Sequence, residues 1–150
     1  VTGQPFKIAQ VNHSRSLANV VRGMHAEGWN KLVTVINGLV FSALADVRPD
    51  SLTFGHVEAF ELGPDNGGLK GSLFISQGIA NSVCVLKAPA DYLYCVDKLY
   101  QDRDQAGDQA ISLFDPDLNI NWPIGKAKMI ISERDKNAVY LRQKFPQKYV

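Results

Sequence analysis

Apolar and polar positions alternate in short runs along the first two thirds of the chain. Lys31-Leu32-Val33-Thr34-Val35-Ile36 and Leu39-Val40-Phe41-Ser42-Ala43-Leu44-Ala45 are rich in β-branched and apolar side chains, and Asn37-Gly38 lies between them. An Asn-Gly pair supplies the positive φ angles of a type I′ turn, so the pattern predicts a β-hairpin at this point. Further strands are predicted over residues 20–25, 57–62, 71–76, 82–86, 92–96 and 110–114. Turn chemistry separates them: Gly63-Pro64-Asp65-Asn66-Gly67-Gly68, Ala88-Pro89-Ala90-Asp91 and the polar run 101–109. Helical periodicity is weak until residues 132–141, which have room for a turn or two. Many short strands at this spacing predict an all-β sandwich or barrel with a short C-terminal helical segment. No repeat, low-complexity run or linker divides the 150 residues, so a single domain over 1–150 is expected.

Strand parity adds a constraint. Successive side chains point to opposite faces, so Tyr92, Tyr94 and Val96 share one face. If one tyrosine ring enters a barrel interior, the other enters with it. The interior of a small barrel is either packed solid or holds one ligand.

Composition narrows the function. With 45% hydrophobic and 21% charged residues the chain is ordinary for a globular protein. The formal net charge is +1 and the charges are scattered, without the basic stripe of a nucleic-acid binder. No apolar run approaches the roughly 20 residues that span a bilayer, and no signal-peptide pattern is present. Small molecules or other protein subunits are the expected partners, in the cytoplasm. Cys84 and Cys95 each sit in an apolar, strand-like run and are expected to be two buried free thiols rather than a disulfide. Neither has a neighbouring histidine that would activate it as a nucleophile.

The candidate chemistry lies around His25. The three histidines, His13, His25 and His56, are not spaced to bind a metal together, and Gly23-Met24-His25-Ala26-Glu27 offers one His and one Glu. No metal is expected. Arg22 and His25 share one short apolar segment, separated by Gly23 and Met24. Arginine suits phosphate through its bidentate fork, and histidine suits proton transfer near neutral pH. On the residues alone, a surface ion pair for Arg22 and a packed ring for His25 remain open.

Longer blocks carry a resemblance. Asn12-His13-Ser14-Arg15-Ser16 is followed by Val21-Arg22-Gly23-Met24-His25, Lys31-Leu32-Val33, Asp46-Val47-Arg48 and Ser51-Leu52-Thr53-Phe54-Gly55. Next come Gly78-Ile79-Ala80, Asp115-Pro116-Asp117-Leu118-Asn119-Ile120-Asn121-Trp122-Pro123 and Ile131-Ser132-Glu133-Arg134-Asp135. In number and order these blocks resemble the dTDP-4-dehydrorhamnose 3,5-epimerase family. The resemblance implies a metal-free, cofactor-free jelly-roll barrel of the cupin type, acting as a homodimer on a nucleoside-diphosphate 4-keto-6-deoxyhexose. It implies His25 as the base that removes a proton beside the ketone, with Asp135 orienting the ring. Lys31 would stabilise the enolate, and Tyr94 would return a proton from the opposite face. Considered alone, Tyr94 reads first as a core aromatic with one satisfied hydroxyl, and Asp135 as a helix-start or surface carboxylate. For binding, the resemblance implies Arg22 at the diphosphate, Gln10 and Asn12 at the nucleotide end, Tyr100 stacked on the base, and Asn81 as a further substrate-binding residue.

The sequence departs from the family in three places. Asn81 stands where the family has a second histidine, and Ser42 where it often has an aspartate, so a coupled polar pair is expected to have been retired. The sequence opens at Val1, where the family has a few dozen residues behind it that serve the dimer and the partner's nucleotide pocket. Two other functions stay open on these grounds: a non-catalytic sugar-nucleotide binder on the same scaffold, and a related cupin 3,4-ketoisomerase. Which sugar, which nucleotide and which carbon are not readable from these residues.

Overall fold

A computed structural model of the chain describes residues 5–65, 67–102, 108 and 110–150. It contains seven strands: β1 (Gln10–Ser16), β2 (Val20–His25), β3 (Lys31–Asp46), β4 (Val57–Leu62), β5 (Ser72–Ile75), β6 (Ile79–Val96) and β7 (Ile130–Ile131). Two helices of four residues each, α1 (Glu133–Lys136) and α2 (Leu141–Lys144), lie near the C-terminus. The predicted strands over 20–25, 57–62 and 71–76 are present, and residues 132–141 hold α1.

The fold is organised by two long antiparallel strands, β3 with 16 residues and β6 with 18, paired along their length. Near its start β3 also pairs with β5, and near its end with β4. Strand β6 pairs with β2 near its start and with β1 near its end, while β7 joins β2 in parallel. The halves of the long ribbon therefore carry different neighbours, β5-β3-β6-β1 at one end and β4-β3-β6-β2-β7 at the other. This is an all-β arrangement, as the pattern predicts, and it fits the jelly roll that the resemblance implies.

Two sequence expectations are corrected here. Asn37-Gly38 is not a hairpin turn, and Ala88-Pro89-Ala90-Asp91 does not separate two strands; both lie within β3 and β6, opposite each other. The register shifts between Val35 and Val40, and Gly38 has φ +79. A Cβ at Gly38 would lie 2.5 Å from the Lys87 carbonyl oxygen and 2.7 Å from that of Pro89, so only glycine fits the crossing. The positive φ signalled by Asn-Gly is real, and it serves an irregularity in a continuous strand. Parity changes across it. In β3 the inward residues are Lys31, Val33 and Val35 before the break and Val40 and Leu44 after it; in β6 they are Ile79, Val83 and Val85 before and Tyr92 and Tyr94 after. Each ribbon strand thus keeps its apolar face inward on both sides of the break.

Val33, Val35, Val40, Leu62, Ile75, Val85, Ala90 and Tyr92 form the core between the two ends of the ribbon. A second core covers the outer face of the β2 end, where Val21, Met24, Ala45, Ala80 and Cys84 meet Ile111, Leu113, Leu118 and Leu141. Residues 110–114 do not form the predicted strand. They extend the sheet locally, with Met24 and Ile111 exchanging two backbone hydrogen bonds of 3.0 Å and Ile111 bridging to Val139. The predicted connection over 101–109 lies largely outside the described residues. Cys84 is buried and Cys95 half-buried, both as free thiols. Burial pushes the Cys84 thiol up to about 11, which keeps it protonated and inert at neutral pH. Among the described residues no helix is long and apolar enough to cross a membrane.

Candidate active site

The inward faces of β1, β2, β3 and β6 enclose a cavity of about 220 Å³. Its walls include Ser14 and Ser16 of β1, Arg22 and His25 of β2, Lys31 of β3, and Asn81, Tyr92 and Tyr94 of β6, with Glu27, Tyr100 and Arg134 from connecting segments and α1. Buried Lys31, Asn81 and Tyr92 form the floor, whereas exposed Arg22, Tyr100 and Arg134 form the rim.

Strand β2 delivers both Arg22 and His25 to this cavity because its register shifts between them. Regular alternation would send residues an odd number apart to opposite faces. The irregularity is centred on Gly23, at φ +134, where an added Cβ would lie 2.7 Å from the Ser82 Cβ. Met24 consequently turns into the outer core while His25 faces inward.

His25 Nε2 lies 2.7 Å from Asp135 Oδ1. The second oxygen, Oδ2, accepts the Gly23 N–H at 3.2 Å, and the Ser132 hydroxyl caps α1 by accepting the Asp135 N–H at 3.2 Å. Burial opposes ionisation of Asp135, but the hydrogen bond and charge of His25, with the donors at Gly23 and Ser132, outweigh it and hold the carboxyl below its ordinary range. An ionised carboxylate can only accept, so His25 carries its proton on Nε2 and turns the Nδ1 lone pair toward the cavity.

The floor is a second polar cluster. Lys31 Nζ donates to Glu27 Oε2 at 2.9 Å and to Asn81 Oδ1 at 3.0 Å, and it lies 5.1 Å from the centre of the Tyr94 ring. The other oxygen of Glu27, Oε1, is 3.9 Å from His25 Nδ1. Burial acts to raise the Glu27 carboxyl, yet the charge and hydrogen bond of Lys31 prevail and lower it. Tyr94 is raised, first by burial and then by the charge of Glu27. The Tyr92 ring sits 5.9 Å from that of Tyr94, and its buried hydroxyl has no hydrogen-bond partner among the described residues. The two tyrosines do share the inward face, as parity required.

The remaining sequence-selected residues divide. Arg22 Nη2 donates to the Ser16 hydroxyl at 3.1 Å on the rim, and Tyr100 leans on Trp29 with ring centres 6.4 Å apart. Gln10 and Asn12 do not line the cavity. They lie on the same face of β1 as Ser14 and Ser16, where Gln10 Nε2 donates to Asn12 Oδ1 at 2.7 Å and Gln10 Oε1 accepts the Tyr100 N–H at 2.8 Å. Asn81 and Ser42 do not form a pair: Asn81 binds Lys31, and the Ser42 hydroxyl donates to the Ser82 carbonyl at 2.8 Å. Glu27, Ser14, Ser16, Tyr92 and Arg134 were not singled out as site residues. Among them, Tyr92 was readable by its parity with Tyr94, and Glu27 by its four-residue spacing from Lys31. Among the described residues no group of three or more His, Cys, Asp or Glu side chains is gathered as a metal site.

The family model described as dTDP-4-dehydrorhamnose 3,5-epimerase matches residues 1–143. The chain belongs to the dTDP-4-dehydrorhamnose 3,5-epimerase family. A dTDP-4-dehydrorhamnose 3,5-epimerase of Escherichia coli is 34% identical over 140 residues, covering 91% of this chain and 72% of the relative. A dTDP-4-dehydrorhamnose 3-epimerase of Streptomyces niveus is 32% identical over 145 residues, covering 94% of this chain and 66% of the relative. The chain therefore spans about two thirds to three quarters of the length of these epimerases. The crystal structure of a dTDP-6-deoxy-D-glucose-3,5-epimerase from Legionella pneumophila, in complex with dTDP-4-keto-L-rhamnose, superimposes with a TM-score of 0.85 at 32% identity, covering 97% of this chain and 76% of that one. This likeness of fold agrees with the jelly-roll reading.

Proposed function

We propose that the protein epimerises a nucleoside-diphosphate 4-keto-6-deoxyhexose at C3, C5 or both, through an enolate. The observation that carries this reading is the 2.7 Å bond between His25 and Asp135 opening onto a cavity that also holds Lys31 and Tyr94. A proton beside a ketone is a weak carbon acid and needs a base with a free lone pair held against it. His25 Nδ1 is that base, and Asp135 stabilises the imidazolium that forms. The electron pair moves onto the ketone oxygen, where the Lys31 ammonium is the preorganised positive charge. Tyr94 returns a proton from the opposite face and inverts the carbon. Asn81, its oxygen engaged by Lys31, turns its amide N–H groups to the sugar. Arg22 on the rim takes the diphosphate and Tyr100 the base, with Gln10 and Asn12 behind them at the nucleotide end. The acting form is a single-domain chain, in a cytoplasmic homodimer; light scattering on the purified protein tests the dimer.

Incubation with dTDP-4-keto-6-deoxyglucose and related 4-keto sugars in deuterium oxide tests the reaction. The expected result is deuterium uptake at C3, C5 or both, followed by NMR, and its loss in His25→Ala. No uptake with any 4-keto sugar overturns the enzyme reading. Asn81 and Ser42 favour a second reading, a non-catalytic binder of sugar nucleotides, which binding without isotope exchange would select. A new ketone position in the product would select a 3,4-ketoisomerase.

A further inference from the structure

We propose that Glu27 is the positioning residue of this site: its one carboxylate holds Lys31 in the cavity floor and faces the proton-accepting nitrogen of His25, so that base and cation share one counter-charge. The inference rests on the reading of His25 as base and Tyr94 as acid. Its geometric support is the 2.9 Å contact from Oε2 to Lys31 Nζ and the 3.9 Å approach of Oε1 to His25 Nδ1. The side chain of Glu27 is only 15% exposed, so its charge is weakly screened by solvent.

Glu27 acts through its neighbours, not on the substrate. When Nδ1 takes the substrate's proton, the imidazolium lies between two carboxylates, Asp135 from α1 behind Nε2 and Glu27 from the β2–β3 connection beside Nδ1. Lys31 of β3, Arg22 of β2 and Arg134 of α1 are the cations on the same cavity, and Lys31 is the one Glu27 binds. The same charge disfavours the phenolates of Tyr92 and Tyr94, adding to the effect of burial. Glu27 thus favours the proton on both groups that exchange one: it stabilises the imidazolium and leaves Tyr94 able to donate.

Glu27→Gln keeps the side-chain shape and an amide oxygen for Lys31 while removing the charge. Removing a negative charge lowers the proton affinity of its neighbours. Both limbs of the pH profile of isotope exchange are therefore expected to move to lower pH, by about one unit for a charge at this range. A purely structural role would lower the height of the profile without moving its limbs. A second readout needs no substrate: in ultraviolet titration of the tyrosines, the step assigned to Tyr94 by its absence in Tyr94→Phe moves to lower pH in Glu27→Gln. Glu27→Asp, which withdraws the charge by one methylene, gives a smaller move in the same direction and serves should the glutamine variant not fold. Unmoved limbs and an unmoved Tyr94 step in folded variants overturn the proposal. If the parent protein exchanges no 4-keto sugar, the epimerase reading fails, and the Tyr94 titration still decides the role of Glu27.

Discussion

His25 Nε2 and Asp135 Oδ1 stand 2.7 Å apart although 110 positions separate the two residues in the chain. The contact is set from both sides. The register shift around Gly23 turns His25 inward, and the Ser132 cap starts α1 so that Asp135 is its buried residue. The Gly23 N–H on Oδ2 ties the two devices together.

Asp135→Asn tests what the carboxylate does beyond filling space. The amide donates to Nε2 through its NH₂ and so favours the tautomer with the proton on Nδ1, where the lone pair is needed. Exchange is expected to fall by roughly 10²–10⁴-fold, the range of general-base loss and of a wrong histidine tautomer. KM is expected to change little, because Asp135 lies behind the ring. Parental exchange rates in a folded Asp135→Asn protein would remove Asp135 from the mechanism.

Much of this was legible in the sequence, and the gaps have physical causes. Strands β2, β4 and β5 follow from apolar patterning. Strand β1 was missed because Gln10, Asn12, Ser14 and Ser16 make its inward face polar, and Ser14 and Ser16 line a cavity rather than a core. The Asn37-Gly38 pair reports a local backbone geometry correctly, but a local signal cannot distinguish a reversal from an irregularity within two paired strands. Tyr92 and Tyr94 were placed together by parity alone. The pairing of His25 with Asp135 came only from the family resemblance, since no spacing rule reaches across the chain. Glu27 was visible as a neighbour of His25, yet its contact with Lys31 depends on the turn between β2 and β3.

Acid sensitivity should be greatest at Asp46, the carboxyl lowered the most. The Arg48 guanidinium, 2.6 Å away, holds the Asp46 carboxyl far below its ordinary range against the opposing effect of burial, helped by the Ser51 and Thr53 hydroxyls, each at 2.6 Å. A carboxyl lowered in the folded state contributes stability that is fully present above the unfolded value of about 4 and is lost as pH falls through the lowered folded value. Asp46→Asn should therefore flatten the acid side of the stability–pH curve. At neutral pH it should cost about 1–3 kcal/mol, as expected when hydrogen bonds to a charged group are lost. Urea unfolding of both proteins at several pH values checks this, and parallel acid limbs would refute it.

Gly23→Ala should damage stability and activity together. The added methyl meets the Ser82 Cβ at 2.7 Å and Cα at 2.8 Å, and φ +134 is closed to alanine without strain. A cost of about 2–4 kcal/mol is expected from overpacking plus backbone strain. Relief requires β2 to separate from β6, which withdraws His25 from Asp135. Thermal melting measures the first effect and isotope exchange the second. A variant with parental melting and exchange would show that the register shift does not depend on glycine.

Tyr94→Phe should separate proton removal from inversion. The ring stays, so the Tyr92 contact and the face toward Lys31 are preserved, while the donor on the far side of the sugar is lost. His25 keeps its lone pair and Asp135, so it still removes a proton and can return one to the side it came from. Deuterium from solvent should then enter the substrate with retained configuration, while net formation of epimer falls by roughly 10²–10⁴-fold, the usual weight of one general acid. Proton NMR of the recovered sugar distinguishes the two, since uptake and configuration are read from separate signals. Equal loss of uptake and inversion would mean that Tyr94 helps remove the proton. Undiminished inversion would mean that another group, with the Tyr92 hydroxyl, unpartnered among the described residues, as the candidate, supplies the proton instead.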